Sequence, residues 1–154
     1  MMTNQLLYQK IFTGNPAEIP KALNWFDAIF LDLEMKPNIV FNLKLCFEEL
    51  FTNIVKHGSA NNLITSNKDR SNIENNIIIE VIISITAEKL RLTLEDNSIP
   101  FNIKAIETNG INKPLEQLKP GGLGIHLVKN IADYLYYTPL NSGNRVVLEF
   151  NCAS

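Results

Sequence analysis

The chain has 154 residues, enough to bury a hydrophobic core within one domain. Hydrophobic residues make up 45% of it and charged residues 19%, which is typical of a folded globular protein and argues against a disordered one. The net charge is −2 and no run of lysine and arginine occurs, so the sequence gives no basis for direct nucleic-acid binding.

The sequence also argues against a membrane or secreted protein. Apolar runs such as IIIEVIISI and IFLDL are far too short to span a bilayer. The first residues, MMTNQLLYQK, lack the charged and then apolar pattern of a secretory signal. Cys46 and Cys152 form no CxxC pair, which argues against a zinc site or a disulfide scaffold. We therefore expect a cytoplasmic protein with no membrane contact.

The first half of the chain predicts one strand and two helices. Residues 6–12, LLYQKIF, alternate as a strand does, and the Gly-Asn-Pro that follows ends the strand. Apolar residues at helical intervals predict a helix over about 16–34 and a second over about 39–57, which Gly58 would stop. Residues 59–76 are rich in asparagine and serine and predict a mobile loop.

The second half predicts strands around one further helix. In order, the segments are a β-branched buried strand over 77–87, an alternating antiparallel neighbour over 89–96, a proline-containing connection over 97–119, a helix over about 125–135, and hairpin strands over 134–140 and 145–150. The predicted fold is α+β, a two-layer sandwich with helices on one face of a mixed, largely antiparallel sheet.

A glycine-rich stretch, PGGLGIHLVKNIADYL, opens the last predicted helix. Glycine costs about 1 kcal/mol relative to alanine inside a helix, so Gly121, Gly122 and Gly124 need a reason. One reason is a tight turn into the helix. The other is that glycines let backbone N–H groups approach a phosphate at a helix N-terminus. The stretch alone leaves both open.

The helix CFEELFTNIVKHG carries polar residues on one side and apolar residues on another. At about 100° per residue, the polar quadrant holds Glu49, Asn53, Lys56 and His57, and the apolar stripe holds Leu43, Phe47, Leu50 and Ile54. The polar quadrant is either a solvated face or a row that combines a metal ligand, a base and a phosphate contact.

The segment LEDNSIPFN places Asp96 at the end of a strand, before Ser98 and Pro100. A carboxylate at this position is either a simple turn cap or an acceptor for an exocyclic amine in an apolar pocket.

Taken together, these motifs resemble those of a known protein family. E-x-x-x-N on a helix, D-x-x-x-P-F after a strand and G-G-L-G-I opening a helix, in that order, resemble the GHKL ATPase superfamily, which has the histidine-kinase-like ATPase fold. More narrowly, GGLGIHLVKNIADYLYY and SGNRVVLEF resemble the anti-sigma factor serine kinases of the RsbW and SpoIIAB type. The resemblance covers about residues 6–150.

The resemblance implies a role for each polar motif residue. Asn53 matches the magnesium ligand, Glu49 the general base and Asp96 the aspartate that reads the adenine amino group. Lys56 matches a lysine that contacts phosphate. His57 matches a histidine that either contacts the nucleotide or caps the helix end.

The implied nucleotide site extends to the turn after Asp96 and to the glycine stretch, through Ser98, Pro100, Gly121, Gly122, Leu123, Gly124, Ile125 and His126. The glycine backbone would lie against the triphosphate, and N–H groups from Leu123 onward would meet the phosphates. Residues 102–119 correspond to the ATP lid.

Two positions depart from the family's pattern. Ser98 replaces the usual glycine of D-x-G, so the turn must hold a Cβ and a hydroxyl beside the adenine. Val147 occupies the strand position where many relatives place a threonine that supports adenine through water. Both changes concern adenine affinity, and neither removes a charged catalytic group.

The function that the resemblance implies is an ATP- and Mg²⁺-dependent serine/threonine protein kinase formed by one domain, residues 1–154. Its substrate would be an anti-anti-sigma partner of the STAS type, and it would sequester a sigma factor or a similar regulator, with a homodimer as one assembly to test. Three other functions stay open: a nucleotide-dependent binding switch without phosphotransfer, the detached catalytic domain of a histidine kinase, and an interaction protein that binds no nucleotide.

Overall fold

A computed structural model describes residues 4–60, 77–101 and 122–152 of the chain. Most of the predicted loop over 59–76, the predicted lid over 102–119 and Gly121 lie outside these described residues. The elements are β1 (Leu6–Thr13), α1 (Glu18–Phe30), α2 (Pro37–Ala60), β2 (Ile78–Ile85), β3 (Lys89–Asp96), α3 (Gly122–Ile131), β4 (Tyr134–Leu140) and β5 (Gly143–Asn151).

The five strands form one sheet in the order β1-β2-β3-β5-β4, with helices on one face. All four pairings among the described strands are antiparallel, where the sequence predicted a mixed, largely antiparallel sheet. The α+β prediction is confirmed. None of the helices described is both long and apolar enough to cross a membrane.

Alternation along the strands produces the core. Every second residue of the three central strands is buried beneath the helices, and these positions include Ile79, Val81, Ile83, Leu90, Leu92, Leu94, Val146, Leu148 and Phe150. Most of the residues between them face away from the helices and are more exposed, although Glu149 of β5 is buried. The sheet is therefore apolar on its helical face, and α2 crosses that face in contact with β3.

A chain of aromatic rings joins the helical layer. Phe26 of α1 stacks on Phe47 of α2, with ring centroids 5.4 Å apart. Phe51, one turn further along α2, meets Phe12 of β1 edge to face at 5.5 Å. Offset and edge-to-face pairs of this kind add about 0.5–1.5 kcal/mol each beyond their buried area. These contacts hold α2 in place relative to the sheet.

Several predicted boundaries are wrong; α1, for example, ends at Phe30 rather than at about residue 34. Helix α2 continues through Gly58 to Ala60. The glycine there makes room for Ile77, because a Cβ would lie 2.5 Å from Cδ1 of Ile77. Helix α3 starts earlier than predicted and ends at Ile131, since the N–H of Asp133 already donates to the carbonyl of Glu149. The hairpin turn has two residues, 141 and 142, rather than four, because Leu140 pairs with Gly143.

Candidate functional site

A largely apolar cleft lies between α2 and the adjoining ends of β3 and β5. Its empty space, including the open mouth, is about 390 Å³. The lining residues are Leu50, Asn53, Ile54, His57, Leu94, Asp96, Ser98, Phe101, Asn144 and Val146. Four residues that the motifs predicted, from segments far apart in sequence, therefore meet at one cleft: Asn53, His57, Asp96 and Ser98.

One carboxylate oxygen of Asp96, Oδ1, is hydrogen-bonded within the protein. The side chain is only 5% exposed, and Oδ1 accepts hydrogen bonds from the Ser98 N–H at 2.9 Å, from the Ser98 hydroxyl and from Nδ2 of Asn144 at 3.1 Å. From the described residues, Oδ2 receives no hydrogen bond. An apolar cleft with one open carboxylate oxygen can accept a hydrogen bond from a ligand amine.

Ser98 is accommodated by this arrangement. Its hydroxyl donates to Asp96, so the extra polar group that the sequence placed beside the cleft has a partner within the protein. The turn after β3 also packs closely against α2, because a Cβ on Gly58 would lie 3.4 Å from Cβ of Ser98.

Asn144 is a site residue that the sequence reasoning missed. It lies directly opposite Asp96 in the β3–β5 register and is 3% exposed. The sequence reasoning assigned it to the hairpin turn. The signal that could have found it is the glycine before it: Gly143 has φ +125°, and a Cβ there would lie 2.8 Å from Cα of Asn97. That glycine lets the start of β5 approach the backbone after Asp96.

Val147 is not a lining residue of the cleft as described. It pairs with Thr93 and lies on the sheet face away from the helices, whereas its neighbour Val146 lines the cleft. Successive side chains of a strand point to opposite faces, so a displacement of one residue exchanges inside and outside. Val147 therefore does not face the cleft, and the side chain that contacts Asp96 from β5 is Asn144.

Asn53 is the buried polar residue of α2 at the cleft. It is 6% exposed, and its Nδ2 has no hydrogen-bond partner in the part of the chain that the structure describes. A buried amide left unpaired costs about 1–3 kcal/mol. Turning the amide about its last bond exchanges nitrogen and oxygen, so the same position can offer a donor or an acceptor. The site therefore suits a polar ligand or a cation.

A single amide would not hold a metal ion alone. Within residues 4–60, 77–101 and 122–152, no three His, Cys, Asp or Glu side chains come together around a metal position. Mg²⁺ commonly takes one or two protein ligands and completes its shell with phosphate and water oxygens. Asn53 fits that arrangement for Mg²⁺ carried by a nucleotide.

Glu49 lies one helical turn before Asn53 but points elsewhere. It is half-buried and absent from the lining of the cleft among the described residues. Its carboxylate lies against Gly124 of α3, where a Cβ would overlap it and would lie 2.5 Å from Cδ of Glu49. Burial, and secondarily the charge of Glu49, raises the pKa of the neighbouring Cys46 thiol to about 12, so that thiol stays protonated.

His57 and Lys56 occupy the last part of α2. The His57 ring stacks on Phe101 with centroids 4.6 Å apart and planes 20° apart, so the pair forms one wall of the cleft. Because α2 extends to Ala60, His57 lies in its last turn rather than at its end. Lys56 is exposed and is not a lining residue of the cleft as described.

The predicted residues from Gly122 to His126 lie at the start of α3. Gly122 is its first residue, and Leu123 follows within the same helical turn. The Ile125 side chain is 2% exposed and packs in the core, so only its backbone is available to a ligand. His126 is half-buried, with its backbone carbonyl accepting from Asn130 at 2.8 Å.

Pro100 is exposed and lies outside the lining of the cleft in the described segments.

The chain belongs to the histidine kinase-like ATPase domain family, whose sequence profile matches residues 12–150. Membership of an ATPase-domain family implies nucleotide binding, which agrees with the fold and with the cleft described above.

Among individual proteins, the chain is similar to serine-protein kinase RsbW of Bacillus mycoides (strain KBAB4), with 25% identity over 60% of this chain and 52% of that protein. RsbW of Bacillus cereus (strain B4264) is 24% identical over the same shares. The chain thus spans about half the length of these relatives. A histidine kinase domain from the blue-light activated histidine kinase of Erythrobacter litoralis EL346 aligns with 88% of this chain and 60% of its own, at 16% identity and a TM-score of 0.49.

Proposed function

We propose that the chain is an ATP-binding protein kinase domain, residues 1–154, that transfers the γ-phosphoryl group of ATP to a serine or threonine hydroxyl of a partner protein. Membership of the ATPase-domain family and the similarity to serine-protein kinases support this proposal. The observation that carries it is Asp96, a buried carboxylate in an apolar cleft with one oxygen bound by the protein and the other open to the cleft.

Adenine recognition follows from this carboxylate. Oδ2 of Asp96 would accept a hydrogen bond from the exocyclic amine of the base, since Oδ1 already has its donors. The apolar side chains of Leu94 and Val146 flank Asp96 and Asn144 and would contact the base surface. A base without that amine would leave Asp96 facing no donor, which disfavours it.

The phosphates would extend toward Asn53 and the N-terminus of α3. The Asn53 amide would supply a protein ligand to Mg²⁺, which neutralises phosphate charge when it is bound. Backbone N–H groups at the start of α3 have no partner within their own helix and favour an anion. Lys56, exposed on α2, would add a positive charge nearby.

Glu49 would act on the attacking hydroxyl. As the hydroxyl oxygen forms its bond to the γ-phosphorus, the bond to the β-γ bridging oxygen breaks, ADP leaves, and the hydroxyl proton passes to the Glu49 carboxylate. In the structure this carboxylate lies against Gly124 in the first turn of α3, the end of the site toward which the phosphates would extend.

We further propose, from the similarity to RsbW, that the partner is an anti-anti-sigma protein of the STAS type, that a sigma factor or a similar regulator is sequestered, and that both events occur in the cytoplasm. A pull-down from the native host followed by mass spectrometry would identify the partner.

The test of the kinase compares two neighbouring glutamates. Glu49→Ala should reduce phosphate transfer to the partner by about 10²–10⁴-fold while nucleotide affinity changes little, because a general base contributes little to holding phosphates. Glu48→Ala is the matched control, since Glu48 is exposed on the same helix. Radiolabel transfer and calorimetry measure the two quantities. Equal transfer by both variants would refute the role of Glu49.

A nucleotide-dependent binding switch without phosphotransfer is the second candidate. The position of Glu49, against Gly124 and outside the cleft lining of the described residues, favours it. ATP binding by the wild type without transfer to the identified partner would make the switch the better explanation.

A further inference from the structure

Both polar atoms of the Asn144 side chain have two hydrogen-bond partners each. Nδ2 donates to Oδ1 of Asp96 at 3.1 Å and to the carbonyl of Ile99 at 3.0 Å. Oδ1 accepts from the N–H of Phe101 at 2.8 Å and from the hydroxyl of Tyr137 at 2.6 Å. A primary amide has two donors and two acceptor lone pairs, so its capacity is filled. Such complete satisfaction at 3% exposure fixes the side chain.

The partners also determine which way the amide points. Reversing it would set its oxygen against the Asp96 carboxylate and the Ile99 carbonyl, and its NH₂ group against the N–H of Phe101. Two acceptors or two donors in contact are repulsive, so a single orientation satisfies all four contacts. An aspartate or an apolar residue at this position could not reproduce them.

We infer that Asn144 is a positioning residue for base selection: it holds the Asp96 carboxylate in the orientation that reads an amino group and joins it to the Phe101 wall of the cleft. This inference rests on the proposed nucleotide binding. Without Asn144, Oδ1 of Asp96 would keep only the two donors of Ser98, which belong to the same turn and can move with it.

The hydrogen bonds of Asn144 to Ile99 and Phe101 affect the shape of the cleft. By binding Ile99 and Phe101 through their backbones, Asn144 fixes the segment that carries the Phe101 ring, which stacks on His57. Asp96 and this aromatic wall are thereby held by one side chain from β5. A substitution at Asn144 should loosen both at once.

The experiment compares binding of ADP with binding of IDP, which lacks the exocyclic amine. We expect the wild type to prefer ADP by roughly tenfold or more, and Asn144→Ala to reduce that preference to about twofold. Tyr137→Phe is the matched control, because it removes one hydrogen bond of Asn144 and leaves the donors to Asp96 and Ile99. Its preference should stay close to that of the wild type.

Asp96→Asn provides the lower limit of the preference, and adding Asn144→Ala to it should change the preference no further. A folded Asn144→Ala protein that keeps the full preference for ADP would overturn the inference. If alanine prevents folding, Asn144→Ser repeats the test with a shorter polar side chain, and failure of both to fold would show a purely structural role. A wild type that does not distinguish ADP from IDP would instead refute adenine recognition itself.

Discussion

Gly124→Ala tests whether this glycine makes room for Glu49 or for phosphate. The new Cβ would overlap the Glu49 carboxylate, lying 2.5 Å from Cδ and 3.2 Å from Cγ. Carbon atoms pack best at about 3.5–4.0 Å, so the carboxylate must withdraw by about 1 Å. A displacement of that size near reacting atoms can cost about 10²-fold in rate. We therefore expect transfer to fall about 10²-fold while ADP affinity stays within about threefold.

The assay pairs radiolabel transfer with ADP calorimetry, and a stability measurement supports both. In the wild-type background the overlap should lower the free energy of unfolding. In a Glu49→Ala background the overlap is gone, and Gly124→Ala should be neutral or stabilising by about 0.5–1 kcal/mol, because alanine favours the helix.

Loss of ADP affinity in Gly124→Ala, with the Glu49→Ala background giving no relief, would refute this reasoning. It would identify Gly124 as a phosphate contact instead.

Two further predictions follow from buried polar groups. Asn53→Ala should make ADP affinity nearly independent of Mg²⁺, measured by calorimetry with and without a chelator, and a retained metal effect would exclude Asn53 as the ligand. Burial raises the pKa of Glu149, but hydrogen bonds from Arg91 and Lys89 outweigh it and hold that pKa below its ordinary value. Its contribution to stability is therefore present above the pKa of an unfolded glutamate and lost as pH falls through the lower folded pKa. Thermal unfolding should show Glu149→Gln less stable than wild type near pH 7, with the difference shrinking in acid, and a difference independent of pH would contradict this.

The spacing of apolar residues in the sequence predicted most of the fold, because the same residues are buried in the structure. Alternation located β2 and β3, and the apolar stripe of α2 placed Leu43, Phe47 and Leu50 in the core. The order of three motifs predicted that Asn53 and Asp96 would share a site, and both line the same cleft. Each of these features depends on local spacing, which a sequence displays directly.

The features that were missed depend on contacts between distant segments. Asn144 contacts Asp96, 48 positions earlier in the sequence, only through the register of β3 and β5. The face that Val147 takes depends on the register of its strand, because a shift of one residue reverses inside and outside. Gly58 lies within its helix and makes room for Ile77 and Ser98, a tertiary role that helix propensity does not contain.

The aromatic chain of the core has a practical consequence for measurement. The single tryptophan of the protein, Trp25, meets Phe12 edge to face at 5.8 Å, between α1 and β1. Trp25 belongs to the partly buried margin of the core and is not a lining residue of the cleft in the described chain. Its fluorescence should therefore report separation of the helices from the sheet and stay nearly constant when a nucleotide binds. One optical signal thus separates loss of folding from loss of binding.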